Sequence, residues 1–332
     1  MNALVTNPTK PLDGLGENIK YIILSIVYAE LNDCMFVYSP LIDLQHNYDN
    51  DPTYLQRMEK LINIIDNFPT IDHETKSNVT VLNTFDLLHF YQTNIDACSK
   101  SKSLQRIKGL FRGGKCDPFK ESSRVNIAIH IRRMNLHDYG LIEKPSSFEG
   151  INVHKSVLGN LSMDLYLNKL SPEIKQMSLP GMDVPDGLYN TMICQFESVY
   201  PDNVNFHIFS QGSPEEFECY SSPNVILHLN EPLEDTFTQM VYADILVTAP
   251  SALSYSAGLI SNNIVYYINY CNPPLPHWHI VQNYTSSRNE HIFIMKCEIR
   301  DKDGNKMSDD DYNSTFIYDA YSDKFTRTNQ NT

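Results

Sequence analysis

The sequence predicts an α/β fold built on parallel sheets, and three observations carry that prediction. Strand-like apolar runs alternate with helical ones through the second half of the chain, joined by short connections, as in a parallel sheet covered on both faces. The run Val125-Asn126-Ile127-Ala128-Ile129-His130-Ile131 puts β-branched residues at alternate positions, which reads as a buried strand. With 332 residues, the chain exceeds what one ordinary core supports, so two domains are expected.

Taken in order, Gly14-Leu15-Gly16-Glu17-Asn18 is a glycine-rich turn feeding an apolar helix, Ile19 to Leu31, followed by a strand, Cys34 to Tyr38. Backbone N–H groups at such a helix start can face an anion, although a tight turn with helix capping explains the same residues. Gly14 and Gly16 are candidates for that anion site, and Glu17 is a carboxylate fixed where a general base could stand. Asp51 to Phe68 and Thr84 to Cys98 follow a helical pattern. Between Ser99 and Glu121, Lys100, Lys102, Arg106, Lys108, Arg112 and Lys115 cluster with three glycines. This stretch reads as a solvated interdomain helix and linker rather than a basic lip over a ligand. Residues 1–115 are therefore expected as one domain, 116–300 as a second, and 301–332 as a polar tail.

The organising strand ends in His130, Arg132 and Arg133. In an open α/β sheet the carboxyl edge is where ligands bind, and guanidinium groups donate paired hydrogen bonds to phosphate oxygens. Alternatively the arginines begin a solvated loop and pair with nearby acids. Met134 to Ser162 is polar, and His137, Asp138, Glu143 and His154 could face the same edge. Their spacing does not suggest a metal site. Further on, helices are expected at 186–199, 214–220, 233–242 and 251–261, with strands at 204–210, 225–229, 245–248 and 264–268. This half is Rossmann-like, yet it lacks G-x-G-x-x-G and G-x-x-x-x-G-K-S/T, which disfavours a dinucleotide cofactor and a P-loop hydrolase. In the turn Pro250-Ser251-Ala252-Leu253-Ser254-Tyr255, Ser251 can cap a helix while Ser254 and Tyr255 bring hydroxyls to its positive end.

Composition narrows the partners. A formal net charge of -14 makes nucleic acid or an anionic membrane an unsuitable partner. Residues 1–12 lack the basic start and apolar core of a signal peptide, and the run from Ile19 to Leu31 carries Lys20 and Glu30 and is too short to span a bilayer. A soluble, cytoplasmic protein is expected. Seven cysteines without C-x-x-C spacing are consistent with reduced thiols and argue against structural zinc. The sequons at Asn78, Asn160, Asn283 and Asn313 are taken as chance. Trp278, Tyr139 and Tyr255 are aromatic candidates for stacking on a sugar.

Three separated stretches resemble one family. Gly14-Leu15-Gly16-Glu17-Asn18 is similar to the Gly-Leu-Gly-Asn-Gln start of the α1,2-, α1,6- and protein O-fucosyltransferase superfamily. His130-Ile131-Arg132-Arg133 resembles its His-x-Arg-Arg-Gly-Asp signature. The segment from Asp235 through Ala243-Asp244-Ile245-Leu246-Val247 to Ser251-Ala252-Leu253-Ser254 resembles its late Ala-Asp strand and serine-rich turn, and Phe209-Ser210-Gln211 stands where the family has an aromatic-Ser/Thr-Asp strand end. The order and approximate spacing agree over most of the chain.

The resemblance implies a GT-B-like protein, two Rossmann-like domains facing a cleft, that acts as an inverting, metal-independent glycosyltransferase without a cofactor. It implies a nucleotide-sugar donor, GDP-fucose first, and a glycan acceptor. A UDP-sugar such as UDP-xylose fits the same phosphate chemistry. Carried over, Arg132 and Arg133 would neutralise the diphosphate, with His130, Ser210, Ser251, Ser254 and Tyr255 lining the nucleotide site. Asp235 would meet the base or ribose, and Glu17 or Asp138 would act in catalysis. The sequence departs from the family pattern at Glu17, where Asn is usual, and at Met134-Asn135, where Gly-Asp is usual. Its composition also suits a microbial or virus-encoded enzyme better than a Golgi one. A non-catalytic sugar- or nucleotide-binding protein and a sugar-nucleotide hydrolase are the rival classes.

Overall fold

The computed structural model describes residues 3–8, 13–42, 44–47, 50–64, 66–71, 78–133, 184, 186–268, 272–285, 292–296, 314–319 and 324–329. Its first part contains β1 (Leu4–Thr6), α1 (Leu15–Leu31), β2 (Met35–Phe36), α2 (Tyr54–Ile62), β3 (Val79–Val81), α3 (Thr84–Thr93), α4 (Ile95–Ser99) and α5 (Lys102–Arg112). The strands pair in parallel in the order β2-β1-β3. The second part contains β4 (Val125–His130), α6 (Asp186–Val199), β5 (Val204–Ser210), a single 3₁₀ turn at Pro214–Phe217, β6 (Val225–Leu229), α7 (Leu233–Tyr242), β7 (Ile245–Val247), α8 (Ala252–Ile260) and β8 (Ile264–Ile268). The strands β9 (His279–Thr285), β10 (Ile292–Lys296), β11 (Ser314–Asp319) and β12 (Lys324–Asn329) complete it. These form a nine-stranded sheet in the order β12-β11-β10-β9-β8-β7-β4-β5-β6. It is parallel from β6 to β9 and antiparallel from β10 onward.

The expected α/β class with parallel sheets is what the chain adopts. Local differences follow from turn chemistry. The helical pattern at 84–98 is broken at Asn94, whose amide donates back to Phe90 O at 2.8 Å and ends α3. Helix α1 begins at Leu15, four residues before its apolar run, because Gly14 in extended conformation (φ -70°, ψ 166°) serves as its N-cap. Short β3 was hidden among polar neighbours. Residues 314–319 and 324–329, expected as part of a polar tail, add two strands to the sheet edge.

The pleat of β4 divides the interior into two clusters. Ile127, Ile129 and Ile131 enter one buried cluster with α6, whereas Ala128 enters the other with Leu246, Phe209 and residues of α7 and α8. That second cluster also holds Val5, Phe36 and nine of the 17 residues of α1. Helix α1 is thus apolar on most sides because it is enclosed by α8, α5, α3 and the small sheet.

The basic stretch on α5 departs from expectation. Lys108 is buried and its ammonium donates to Ser261 O at 2.6 Å, while Arg112 donates to Ile260 O at 3.0 Å and to Val241 O at 3.4 Å. Lys115 donates to Leu61 O and Phe111 O, each at 2.7 Å. These carbonyls lie in the last turns of α8, α7, α2 and α5 or just beyond them, where partial negative charge is unsatisfied. Lys108, Arg112 and Lys115 thus cap helix ends internally, whereas Lys100, Lys102 and Arg106 are exposed, as a solvated stretch would have them. Among the described residues no helix is long and apolar enough to cross a membrane.

Candidate functional site at the switch point of the parallel sheet

Strand order fixes where a ligand can enter. From β4 the chain moves to β5 and β6 on one side, and α7 then carries it back to β7 on the other side of β4. The carboxyl ends of β4 and β7 therefore flank the topological switch point, the position where open α/β sheets form a crevice. After β4 come Ile131-Arg132-Arg133, and after β7 come Thr248-Ala249-Pro250-Ser251.

Two of the stretches singled out in the sequence meet here directly. The Arg132 guanidinium Nη1 donates to Pro250 O at 3.2 Å, and Arg132 is half-buried. Ser251 caps α8, its Oγ accepting from Leu253 N at 3.2 Å. The third stretch joins through Gly16. A Cβ on Gly16 would lie 2.4–2.5 Å from backbone atoms of Ala252 and Leu253, and Ser256 Oγ donates to Gly16 O at 2.7 Å. Only a residue without a side chain permits this crossing. The first turns of α1 and α8 thus touch, and their positive ends converge beside Arg132.

Glu17 sits in that first turn of α1, one-fifth exposed, with Lys20 Nζ at 2.6 Å. Lys20 itself is buried and reaches Asn272 Oδ1 at 3.4 Å. Gly14 is the helix cap, and its Cα lies against the His46 ring. His130 is buried at the end of β4, and its Nδ1 has no hydrogen-bond partner among the described residues. Burial, reinforced by the Arg132 charge, lowers its pKa to about 3, so the ring is neutral at ordinary pH.

Other expected site residues are placed differently. Arg133 points to the opposite face from Arg132, as adjacent residues of an extended chain do. Its buried guanidinium pairs with Asp186 Oδ1 at 2.8 Å and lies over the Phe217 ring at 4.8 Å. Tyr220 Oη donates to the same Asp186 oxygen at 2.6 Å, and burial together with Asp186 raises the tyrosine pKa well above its usual value. The two arginines expected to act as a pair are therefore separated: Arg132 stands at the switch point, whereas Arg133 is engaged in an internal ion pair. Ser254 is fully buried, and its Oγ accepts from Ala249 N at 3.1 Å, which fastens the turn. Tyr255 is also internal: its Oη donates to Pro273 O at 2.8 Å and meets Tyr91 Oη at 3.0 Å. Neither hydroxyl is directed to a ligand. Ser210 Oγ donates to Ile131 O at 2.7 Å, tying β5 to the extension of β4. Asp235 is exposed in the first turn of α7, beside Glu234, which pairs with Arg57 of α2. Trp278 is buried against Gly258, Tyr255 and Tyr267. Asp138, His137, Tyr139, Glu143 and His154 lie outside the described residues.

Sequence reading missed Lys20, Asp186 and Tyr220. Lys20 carried a signal, a cation three residues after Glu17 inside an otherwise apolar helix. Asp186 and Tyr220 carried none, being far from Arg133 in sequence.

A comparison with family profiles and with curated protein sequences finds no match. Among solved structures, the chain shows a coarse likeness to the fucosyltransferase NodZ from Bradyrhizobium, with 10% identity and a TM-score of 0.30 over 79% of this chain and 94% of that one. POFUT1 in complex with GDP shows 10% identity and a TM-score of 0.36 over 79% and 95%. POFUT1 in complex with GDP-fucose shows 12% identity and a TM-score of 0.26 over 79% and 70%. What the fold and site themselves define is an α/β protein with one parallel sheet and one mixed sheet that is parallel from β6 to β9. At its switch point, two helix N-termini and one arginine converge.

Proposed function

We propose that the chain is a glycosyltransferase that moves a sugar, fucose from GDP-fucose in the first instance, from a nucleotide sugar to a hydroxyl of a glycan. The observation that carries this reading is the convergence of the first turns of α1 and α8 with Arg132 at the β4–β7 switch point. Such an arrangement is suited to an anion, and it stabilises the negative charge that develops on a diphosphate as it leaves. Arg132 supplies the mobile charge, since its position against Pro250 O leaves further N–H donors on the fork. Glu17, in the same turn of α1, is the proposed base. As the acceptor oxygen attacks the anomeric carbon, the carbon–oxygen bond to the diphosphate breaks, the acceptor proton passes to Glu17 and the nucleoside diphosphate departs. Attack on the face opposite the leaving group inverts the anomeric configuration. In this reading the diphosphate is held without a divalent metal, and Asp235 at the start of α7 is left for the nucleoside.

Thermal-shift binding with GDP and UDP, each with Mg²⁺ and with EDTA, tests the reading. A selective rise with GDP that persists in EDTA is expected. UDP selectivity would retain a transferase with a different donor, and no rise with either nucleotide would overturn the diphosphate site. Arg132→Ala is expected to weaken nucleoside diphosphate binding by about 2–4 kcal/mol, as for loss of a charge-assisted contact. Glu17→Gln is expected to retain nucleotide binding while abolishing sugar transfer, measured with labelled donor.

A further inference from the structure

We propose that His207 and His228 share one proton, forming a monocationic imidazole pair that clasps the start of α7 to the sheet through Glu231. Four groups lie in a row: Asn126 Oδ1 is 3.3 Å from His207 Nε2, His207 Nδ1 is 2.9 Å from His228 Nε2, and His228 Nδ1 is 2.8 Å from Glu231 Oε1.

Both ends of the row are acceptors. Asn126 Nδ2 is committed to Arg124 O at 2.9 Å, and turning the amide over would set two oxygens at that distance with no proton between them. Its Oδ1 also faces Ser122 Oγ at 3.3 Å and Asn205 Nδ2 at 3.4 Å, both able to donate. Glu231 presents a carboxylate. The outer nitrogens, His207 Nε2 and His228 Nδ1, must therefore both carry hydrogen. Two neutral imidazoles have no proton left for the central contact, and their lone pairs would then oppose each other at 2.9 Å. A third proton removes the conflict. Burial, then the neighbouring His228 charge, lowers the His207 pKa to about 4, which assigns the extra proton to His228 beside Glu231.

The surroundings hold this arrangement. Phe119 packs on His207 at 4.9 Å between ring centroids, and Phe209 stacks on His228 at 4.6 Å. Among the described residues, the titratable and charged groups near the pair are Glu231 on the β6–α7 connection, His130 across Phe209 on β4, Asp244 before β7, which accepts from Asn126 N at 2.8 Å, and Arg124, bound to Asn205 and Asn224. His130 is neutral and Glu231 is the anion in contact. Asn230, just before Glu231, anchors the connection to Gly212 and Ser210 O. Beyond Glu231, Pro232 leads into α7 with Glu234 and Asp235 in its first turn. Loss of the shared proton must open the central contact and release Glu231, so the clasp is sensitive to rising pH.

Long-range proton–nitrogen NMR on the intact, nitrogen-15-labelled chain, from pH 5 to 9, reads the tautomers directly. The expected result is one ring protonated on both nitrogens and one neutral ring protonated on Nε2. Both should change in a single shared step, with hydrogen-exchange protection of residues 231–236 falling in the same step. Glu231→Gln should move that step down by about one pH unit, since the stabilising anion is gone. Two neutral rings throughout, or titrations that ignore Glu231→Gln, would overturn the proposal. So would stoichiometric zinc or copper whose removal by chelator changes these signals, because the shared cation would then be the metal. Should Glu231→Gln fail to fold, the wild-type tautomers alone decide.

Discussion

The two ends of α8 are held in opposite ways. At its C-terminal end, Lys108 and Arg112 of α5 occupy the last carbonyls, Ser261 O and Ile260 O. At its N-terminal end, α1 approaches through Gly16, which brings no side chain at all, and Ser251 supplies a single cap. One end is saturated by the protein's own charges, whereas the other presents its positive end beside Arg132. Among the described residues, the same helix is thus held by cations at one end and by the Ser251 cap at the other.

Breaking the open end should have the largest effect. At Gly16 a Cβ would fall within 2.5 Å of the Ala252–Leu253 backbone, and backbone cannot yield as a flexible side chain does. Gly16→Val is expected to cost about 3 kcal/mol or more by overpacking, measured as a lower urea midpoint. Gly109→Ala is the control. It lies within α5 with nothing inside 4 Å of the added Cβ, and a gain of about 0.5–1 kcal/mol is expected from helix propensity.

Breaking the closed end comes next. Arg112→Met removes hydrogen bonds to Ile260 O, Val241 O and Lys108 O and should cost about 2–3 kcal/mol, as for charge-assisted bonds to buried acceptors. Lys108 sharpens the comparison through pH. Burial, with Arg112 nearby, lowers its pKa to about 8, below the usual 10.5. Between these values the unfolded chain holds the proton more often than the folded one, so this residue's contribution to stability rises with pH. The stability of the wild type relative to Lys108→Met should therefore shift in favour of the wild type as pH is raised from 8 to 10.5, followed by chemical denaturation at each pH.

Much of this architecture was legible in the sequence, because the second half alternates strands and helices with clear periodicity and β4 carries alternating β-branched residues. That Gly16, Arg132 and Ser251 lie at element boundaries was legible as well, because local chemistry is distinctive there. What could not be read was the direction of each side chain. Arg132 and Arg133 look equivalent in the sequence, yet the pleat sends one to the crevice and the other to Asp186. Ser254 and Tyr255 look like ligand hydroxyls, but helix geometry turns them inward onto Ala249 and Pro273. The basic run on α5 looked solvated because its acceptors, the carbonyls ending α7 and α8, lie more than a hundred residues away in sequence.

The smallest expected effect concerns how α5 itself is held. Glu30, near the end of α1, accepts from Ser101 Oγ at 2.6 Å, from Ser103 N at 2.6 Å and from Lys102 N at 3.1 Å, so it caps the α5 N-terminus from outside. Partial burial alone would raise its pKa, but these hydrogen bonds outweigh that and lower it from 4.5 to about 2. A lowered carboxylate contributes stability above the unfolded value that is lost as pH falls through the folded one. The wild type should therefore lose this contribution between pH 4.5 and 2, and Glu30→Gln should lack that part of the acid sensitivity. Because Glu30 is exposed, solvent screening limits the effect to about 1 kcal/mol at neutral pH, comparable to a helix cap. Equal acid sensitivity in both proteins would show that α5 is positioned by its packing and its cations at the α8 end, with no contribution from Glu30.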